Sequence, residues 1–307
     1  MTTFLHSTAR ALLDSFGLHA TFRSLNRVNA GARVLSQGQG KVWLVGAGPG
    51  DAELLTIKAY KAIQQADIVL FDCLVDASVL SLIPASCDRE FVGKRSGKHS
   101  LSQVDISQRI LFHAQQGKQV VRLKGGDPAI FARTVEETQM LSIHNIPFVI
   151  VPGITSASGA SAYTGIPLTH RGCAQSVLFA TASFQSEDKE PDWSSLANAS
   201  HHQTIVFYMG LKKLDLIGER LIAHGVRNDF PIAVVDQACT RNQKLCEGTL
   251  TDIKQKVQQA NFIGPALIIC GEVVKYRQSI DVPSLFEDRQ MTDNLNHCKQ
   301  PKFASTW

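Results

Sequence analysis

From Lys41 onward, short apolar runs alternate with stretches of helical spacing. "KVWLVGAG" is apolar almost throughout and ends in glycine, as a strand buried on both faces should. In "DAELLTIKAYKAIQQA", Leu54, Leu55, Ala59, Ile63 and Ala66 recur on one helical face, and Asp51 stands where an N-cap belongs. The rhythm continues with strands at "DIVLFD", "REFVG", "KQVVRLK" and "PFVIVPG". Helices are predicted at "ASVLSLI", "LSQVDISQRILFHAQQ" and "TVEETQMLSIHN". Strands too apolar to face water, separated by helices, predict a parallel sheet wrapped on both sides.

After "GITSASGASAYTGIPLTHRG" the texture changes. "SVLFATAS", "TIVFYMG", "PIAVVDQA", "KLCEGTL" and "PALIICGEVV" read as five strands, with helices at "KKLDLIGERLIAHG" and "LTDIKQKVQQA". Little helix separates "QKLCEGTL" from "PALIICGEVV", so part of this second sheet is expected to be antiparallel. The fold class is α/β, built as two α/β domains. Residues 41–152 form an N-terminal domain with a mainly parallel sheet, and residues 153–277 form a C-terminal domain with a mixed sheet. Residues 1–40 read as a flexible extension that carries a short amphipathic helix, "TARALLDSFGLH", and ends in a Gln/Gly linker. The tail, residues 278–307, is polar, lacks period and is expected to sit loosely.

Composition narrows the function classes. With 44% apolar and 19% charged residues, the chain of 307 residues can bury a core and is too balanced for disorder. A net charge of +4, without basic runs, fits local handling of anions and argues against nucleic acid as a partner. Seven singly scattered cysteines form no C-x-x-C, and their odd number opposes a closed disulfide framework, which points to a reduced cytoplasm. The N-terminus lacks the apolar core and cleavage pattern of a secretory signal, and no apolar run reaches the roughly 18 residues of a membrane span. A soluble cytoplasmic protein is expected.

Three stretches are candidates for chemistry. "GAGPGD", residues 46–51, ends the first strand, where open α/β folds place ligands, but lacks G-x-G-x-x-G spacing, and Pro49 removes a backbone donor. It serves either as a tight turn or as a ligand loop. "KGGDP" follows another apolar strand; Asp127 can accept from a ligand or cap its own turn. "GITSASGASAYTGIPLTHR" strings small residues along a long connection, leaving room for something flat and large, or for a close helix–helix or interdomain contact. Basic residues flank these loops: Lys94, Arg95, Lys98 and His99, then Arg122, Lys124 and Arg133, then His170 and Arg171. Such groups are solvated surface, or they grip a substrate with many carboxylates.

In this order and spacing, "KVWLVGAGPGDAELLTIKA", "ADIVLFDCLV", "VGKRSGKHS", "VVRLKGGDP", "VPGITSASGASAYTGIPLTHR", "VFYMGL" and "PALIICGEVV" resemble the tetrapyrrole methylases that use S-adenosylmethionine (SAM). The resemblance runs over about residues 41–277 and lies nearest the members that act on uroporphyrinogen III. It implies SAM as co-substrate in an interdomain cleft, no metal, and a homodimer. It also implies transfer of two methyl groups, to C2 and C7 of uroporphyrinogen III, giving precorrin-2 by way of precorrin-1. Downstream lie the sirohaem, cobalamin or haem d1 branches. Matching positions imply SAM contacts at Pro49, Gly125, Gly126, Asp127, Ile130, Thr155, Ser156, Met209 and Ala238. Asp72 matches the family's proton acceptor and Lys94 its proton donor; Arg133, Glu136 and Arg171 match positions tied to substrate handling.

The sequence departs from the family pattern at Cys73 for arginine, Asp76 for serine and Ala129 for phenylalanine. "ARTVEE" stands for "GRGGEE", and Ala238 for a glycine that meets the cofactor. The reading is a diverged but active enzyme. Its rivals are a methylase of a later corrinoid intermediate and a non-catalytic SAM- or tetrapyrrole-binding protein. About forty residues ahead of the resemblance are too few for the dehydrogenase–ferrochelatase module of some relatives, so NAD-dependent oxidation and iron insertion are expected to be absent.

Overall fold

The structure is a computed structural model that describes residues 40–93, 101–183 and 190–286. The helix expected in the N-terminal extension, the basic cluster Lys94, Arg95, Lys98 and His99, and the end of the tail lie outside the described residues.

The first sheet contains β1 (Lys41–Gly46), β2 (Ile68–Phe71), β3 (Asp88–Phe91), β4 (Gln119–Lys124) and β5 (Phe148–Val151). Its order is β3-β2-β4-β1-β5, and every pairing is parallel. Helices α1 (Ile57–Gln64) and α2 (Ala77–Ser81) belong to connections that step towards β3. Helices α3 (Gln103–Gln115) and α4 (Thr134–Ile143) belong to connections that step back towards β5. Right-handed crossovers therefore put the two pairs on opposite faces. Packing agrees: Val45, Ala59, Ile63 and Val79 share one core, and Leu44, Leu70, Ile110 and Leu141 share the other. Because the chain leaves the neighbouring strands β1 and β4 in opposite directions, their carboxyl ends open a crevice.

The second sheet contains β6 (Ser176–Thr181), β7 (Gln203–Tyr208), β8 (Pro231–Asp236), β9 (Lys244–Thr249) and β10 (Ala266–Cys270), in the order β6-β7-β10-β8-β9. Only β6 and β7 pair in parallel; β10 runs antiparallel to β7 and β8, and β9 antiparallel to β8. This is the mixed sheet the sequence predicts. One face is covered by α6 (Trp193–Ser200), α7 (Leu214–Ala223) and α8 (Ile253–Gln259), through Trp193, Leu196, Ile217, Leu221, Ile253 and Val257. The other face packs on α5 (Ser156–Thr164), through Ala157, Ala160 and Tyr163.

Three elements differ from expectation. The stretch from Asp51 is not one helix: Asp51 caps a 3-10 turn, Ala52–Leu54, and Thr56 caps α1 through the Ala59 N–H. The small-residue connection contains α5, whose alanines and Gly159 let it approach its neighbours closely. Helix α6 has no counterpart in the sequence reading; Asp192 caps it through the Ser195 N–H. Just after β10 the chain is pinned to α5. The Gln278 N–H donates to Gly165 O, Arg277 Nε donates to Thr164 O, and the Phe286 ring packs edge-on against Tyr163.

Candidate active site

Three loops meet backbone against backbone at the carboxyl ends of β1, β4 and β5. A Cβ on Gly46 would stand 2.6 Å from the Gly153 nitrogen and 2.7 Å from the Gly126 carbonyl oxygen. Gly48 and Gly126 exchange backbone hydrogen bonds of 3.2 and 2.7 Å, both in left-handed conformation (φ 74° and 67°), which glycine adopts without strain. The Gly153 N–H donates to Asp127 Oδ2 at 3.0 Å and the Ala129 N–H to Asp127 Oδ1 at 2.7 Å. Asp127 thus braces its own turn and ties it to the β5 loop.

The first loop is wedged against the second half of the chain. A Cβ on Gly159 of α5 would stand 2.5 Å from Pro49 Cγ, and one on Gly50 would stand 2.7 Å from the Cys239 carbonyl oxygen. Tyr163 on α5 donates its hydroxyl to Asp51 Oδ2 at 2.7 Å. Burial and that carboxylate push the Tyr163 phenol well above its ordinary pKa, so it stays a donor. Tyr208, at the end of β7, hydrogen-bonds Thr155 Oγ1 at 2.7 Å and accepts the Ala157 N–H at 3.2 Å, satisfying a free donor in the first turn of α5.

Between these parts lies a cavity of about 560 Å³, lined by Asp127, Ile130, Thr155, Gly159, Tyr163 and Phe179 among others. Its size is in the range of small-molecule sites, roughly 300–1,000 Å³. The wall joins apolar flanks to an acceptor at Asp127 and hydroxyls at Thr155 and Ser158, a set suited to a molecule with both polar and apolar parts.

Of the residues expected to meet SAM, Asp127, Ile130 and Thr155 line this cavity. Pro49 packs on Gly159, and Gly126 lies beside Ser156, with a Cβ there 3.5 Å from Ser156 Oγ. Gly125 has a packing reason: a Cβ would stand 2.7 Å from Leu74 Cβ. Ala238 is buried in the apolar cluster with Ala157 and Ala160, and Met209 is exposed directly after β7.

The residues expected to handle substrate and protons are spread more widely. Asp72 follows β2; its Oδ1 accepts the Leu74 N–H at 3.0 Å and its Oδ2 accepts from Arg122 Nη2 at 2.8 Å. Arg133 and Glu136 form an exposed pair at 2.9 Å. Partial burial pulls the Glu136 carboxyl up, but hydrogen bonds from Arg133 and from its own backbone N–H, with the charges of Arg133 and Lys124, together outweigh it and hold the group below its ordinary value. Arg171 is exposed in the turn closed by the His170–Ala174 bridge, joined to the cleft by no hydrogen bond or ion pair among the described residues. Lys94 lies outside the described residues, though Gly93 before it packs against the backbone of Asp72 and Cys73.

Two expected substrate cations are placed otherwise. Arg122 and Lys124 are not at the mouth: each is 4% exposed, and both pair with Glu137, itself 1% exposed. Strand alternation turns them towards α3 and α4 rather than to solvent. Lys124 Nζ donates to Glu137 Oε2 at 2.6 Å, Gln103 Nε2 donates to Glu137 Oε1 at 3.1 Å, and Arg122 reaches on to Asp72. Two cations and two carboxylates close a neutral network under the cleft. Burial holds the Lys124 ammonium below its ordinary pKa, against the opposing pull of Glu137. Sequence reasoning missed Glu137, Tyr163, Tyr208 and Phe179. Glu137 is adjacent to Glu136 and Tyr208 to Met209, so the motifs held a signal for two of them.

Residues 41–254 match the family model described as Tetrapyrrole (Corrin/Porphyrin) Methylases. A siroheme synthase of Pseudomonas fluorescens is 48% identical over 241 residues, covering 78% of this chain and 52% of that protein. One of Tolumonas auensis is 49% identical over 234 residues, covering 76% and 49%. The chain thus spans about half the length of these curated relatives. Among solved structures, the uroporphyrin-III C-methyl transferase of Thermus thermophilus complexed with S-adenyl homocysteine superposes with a TM-score of 0.66 at 38% identity. That match covers 77% of this chain and all of the other. A cobalt precorrin-4 methyltransferase superposes with a TM-score of 0.68 at 27% identity, covering 76% and 95%. With a family match over residues 41–254 and superposition on these solved methyltransferases over about three quarters of its length, the chain belongs to the tetrapyrrole methylases.

Proposed function

We propose that this protein is a SAM-dependent methyltransferase that methylates uroporphyrinogen III at C2 and C7, giving precorrin-2 by way of precorrin-1. The observation that carries the reading is the cavity where the loops after β1, β4 and β5 meet the N-terminal half of α5. The cavity suits SAM: Asp127 offers an acceptor, Thr155 and Ser158 offer hydroxyls, and Ile130 and Phe179 offer apolar wall. When bound, SAM supplies a methyl group already activated on its sulfonium.

The chain's own tasks are alignment, exclusion of water and removal of a proton. As the new carbon–carbon bond forms, the carbon–sulfur bond breaks with its electron pair going to sulfur, and the macrocycle sheds a proton. Asp72 is the assigned acceptor; the Leu74 N–H and Arg122 fix the orientation of its carboxylate. Lys94 is assigned as proton donor. Arg133, Glu136 and Arg171 carry substrate handling, Arg133 through a planar fork suited to carboxylates. The protein acts as a homodimer in the cytoplasm.

The test is incubation of the purified protein with SAM and uroporphyrinogen III under reducing conditions, followed by mass spectrometry. A product heavier by two methyl groups is expected. Binding of SAM without transfer would make the chain a binding protein, and transfer only to an already methylated corrinoid would move it to a later step.

A further inference from the structure

Among the described residues, seven non-glycine residues hold a left-handed backbone. Two are Asn145 and Asn261, each just after a helix, where asparagine tolerates that conformation. The other five are Phe131, Arg133, Met209, Gln237 and Cys239, in the loops after β4, β7 and β8 that surround the cleft. Phe131 is the most unusual. A bulky aromatic at φ 51° is strained, and its ring gains little burial in return, since the residue remains 42% exposed.

The neighbours of Phe131 say what the conformation achieves. Its ring lies 5.0 Å from that of Tyr208, which lies 5.7 Å from that of Phe179 in the cavity wall. Thr134 Oγ1 donates to Pro128 O across the base of the same loop, holding the turn that presents the ring. Two further apolar side chains are exposed, one next to Tyr208 in sequence and one against the start of the Phe131 loop. They are Met209 and Leu74, the latter against Gly125, and each is 53% exposed. Exposed apolar groups gathered at a cleft rim mark a contact surface.

We propose that Phe131 is a specificity-determining residue that meets the apolar core of the tetrapyrrole, while charged groups meet its carboxylate rim. The inference rests on the methyltransferase reading above. It divides the cleft in two: the cavity lined by Asp127 and Thr155 takes SAM, and the Phe131 face takes the macrocycle.

The experiment measures, for the parent and for Phe131→Ala, Phe131→Leu and Phe131→Gly, the KM for uroporphyrinogen III at saturating SAM and the Kd for SAM by calorimetry. Phe131→Ala is expected to raise KM about tenfold with a SAM Kd within twofold of the parent, and Phe131→Leu to lie between. Phe131→Gly relieves the strained backbone and keeps the loop, so it reports on the ring even if the alanine variant folds poorly; it is expected to match alanine in KM. Unchanged KM in a turning-over glycine variant, or a weaker SAM Kd with unchanged KM, overturns the assignment. A parent that turns over no substrate would fail the methyltransferase reading itself, an outcome separate from either.

Discussion

Replacing Gly46 by alanine tests the convergence of the three loops, since its added Cβ would meet both of the other two. The added Cβ would stand 2.6 Å from Gly153 N, 2.7 Å from Gly126 O and 2.7 Å from Gly153 Cα, all backbone atoms, where ordinary contact begins at 3.4 Å. Relief requires movements of about 0.8 Å (3.4 − 2.6) and 0.7 Å (3.4 − 2.7) on two sides at once. Those movements pull on the Gly48–Gly126 bridge and on the Ala47 N–H bond to Lys124 O at 2.8 Å. Overpacking of this kind costs about 1–3 kcal/mol, and one or two weakened hydrogen bonds bring the total to about 2–5 kcal/mol. Gly48→Ala is the control. It has positive φ, but its nearest atom would be 3.6 Å away, so its cost is backbone strain alone, about 1–2 kcal/mol. Urea unfolding gives both numbers, and methyl transfer in the surviving native state is expected to fall about 100-fold in Gly46→Ala, since misplacement by about 1 Å costs that much. A Gly46→Ala protein as stable as Gly48→Ala, with the parent's turnover, would refute the packed junction.

Other consequences are as specific. Glu137→Gln leaves Lys124 and Arg122 short of a buried partner and should cost about 3–5 kcal/mol in urea unfolding, whereas Glu136→Gln at the surface should cost under about 1 kcal/mol; equal costs would remove the buried network. Around Glu272, burial pulls the carboxyl up, but Lys275 at 2.9 Å and Arg227 outweigh it and hold it below its ordinary 4.5. The unfolded chain therefore binds that proton first as pH falls. The stability Glu272 contributes is full above about 4.5 and is lost as pH drops towards its folded value, so Glu272→Gln should flatten the acid limb of stability against pH. Towards a thiol reagent at pH 8, exposed Cys73 should react first among the cysteines of the described residues, as read by peptide mapping. Cys239, which burial pushes up to about 12, and fully buried Cys270 should wait for denaturant; early labelling of Cys239 would contradict the packing of Pro49 and Gly159 around it.

Much of the frame is legible in the sequence because periodicity survives burial. Each apolar run read as a strand, from "KVWLVG" to "ALIIC", is a strand, with ends shifted by a residue or a few. Helix α5 is not legible, since Ser, Ala and Gly give no contrast between its faces; its helicity comes from packing against the second sheet and Pro49. Helix α6 is short, and its signal is a single Asp192 cap. In the site, the glycines and Asp127 are visible as motifs, but not what each does. Gly46 and Gly125 are small because backbone and Leu74 crowd them, and each Asp127 oxygen accepts one neighbouring N–H, which leaves further lone pairs for a ligand. Arg122 and Lys124 read as surface cations because their partners, Asp72 and Glu137, are 50, 15 and 13 residues away. A one-dimensional charge pattern cannot show that closure.

The most direct measurement is a crystal structure of the protein grown with S-adenosylhomocysteine. The account predicts the ligand in the cavity between the glycine loops and α5, touching Asp127, Ile130 and Thr155 and leaving the Phe131 face open. The same molecule bound elsewhere, with that cavity filled only by solvent at saturating ligand, would contradict it.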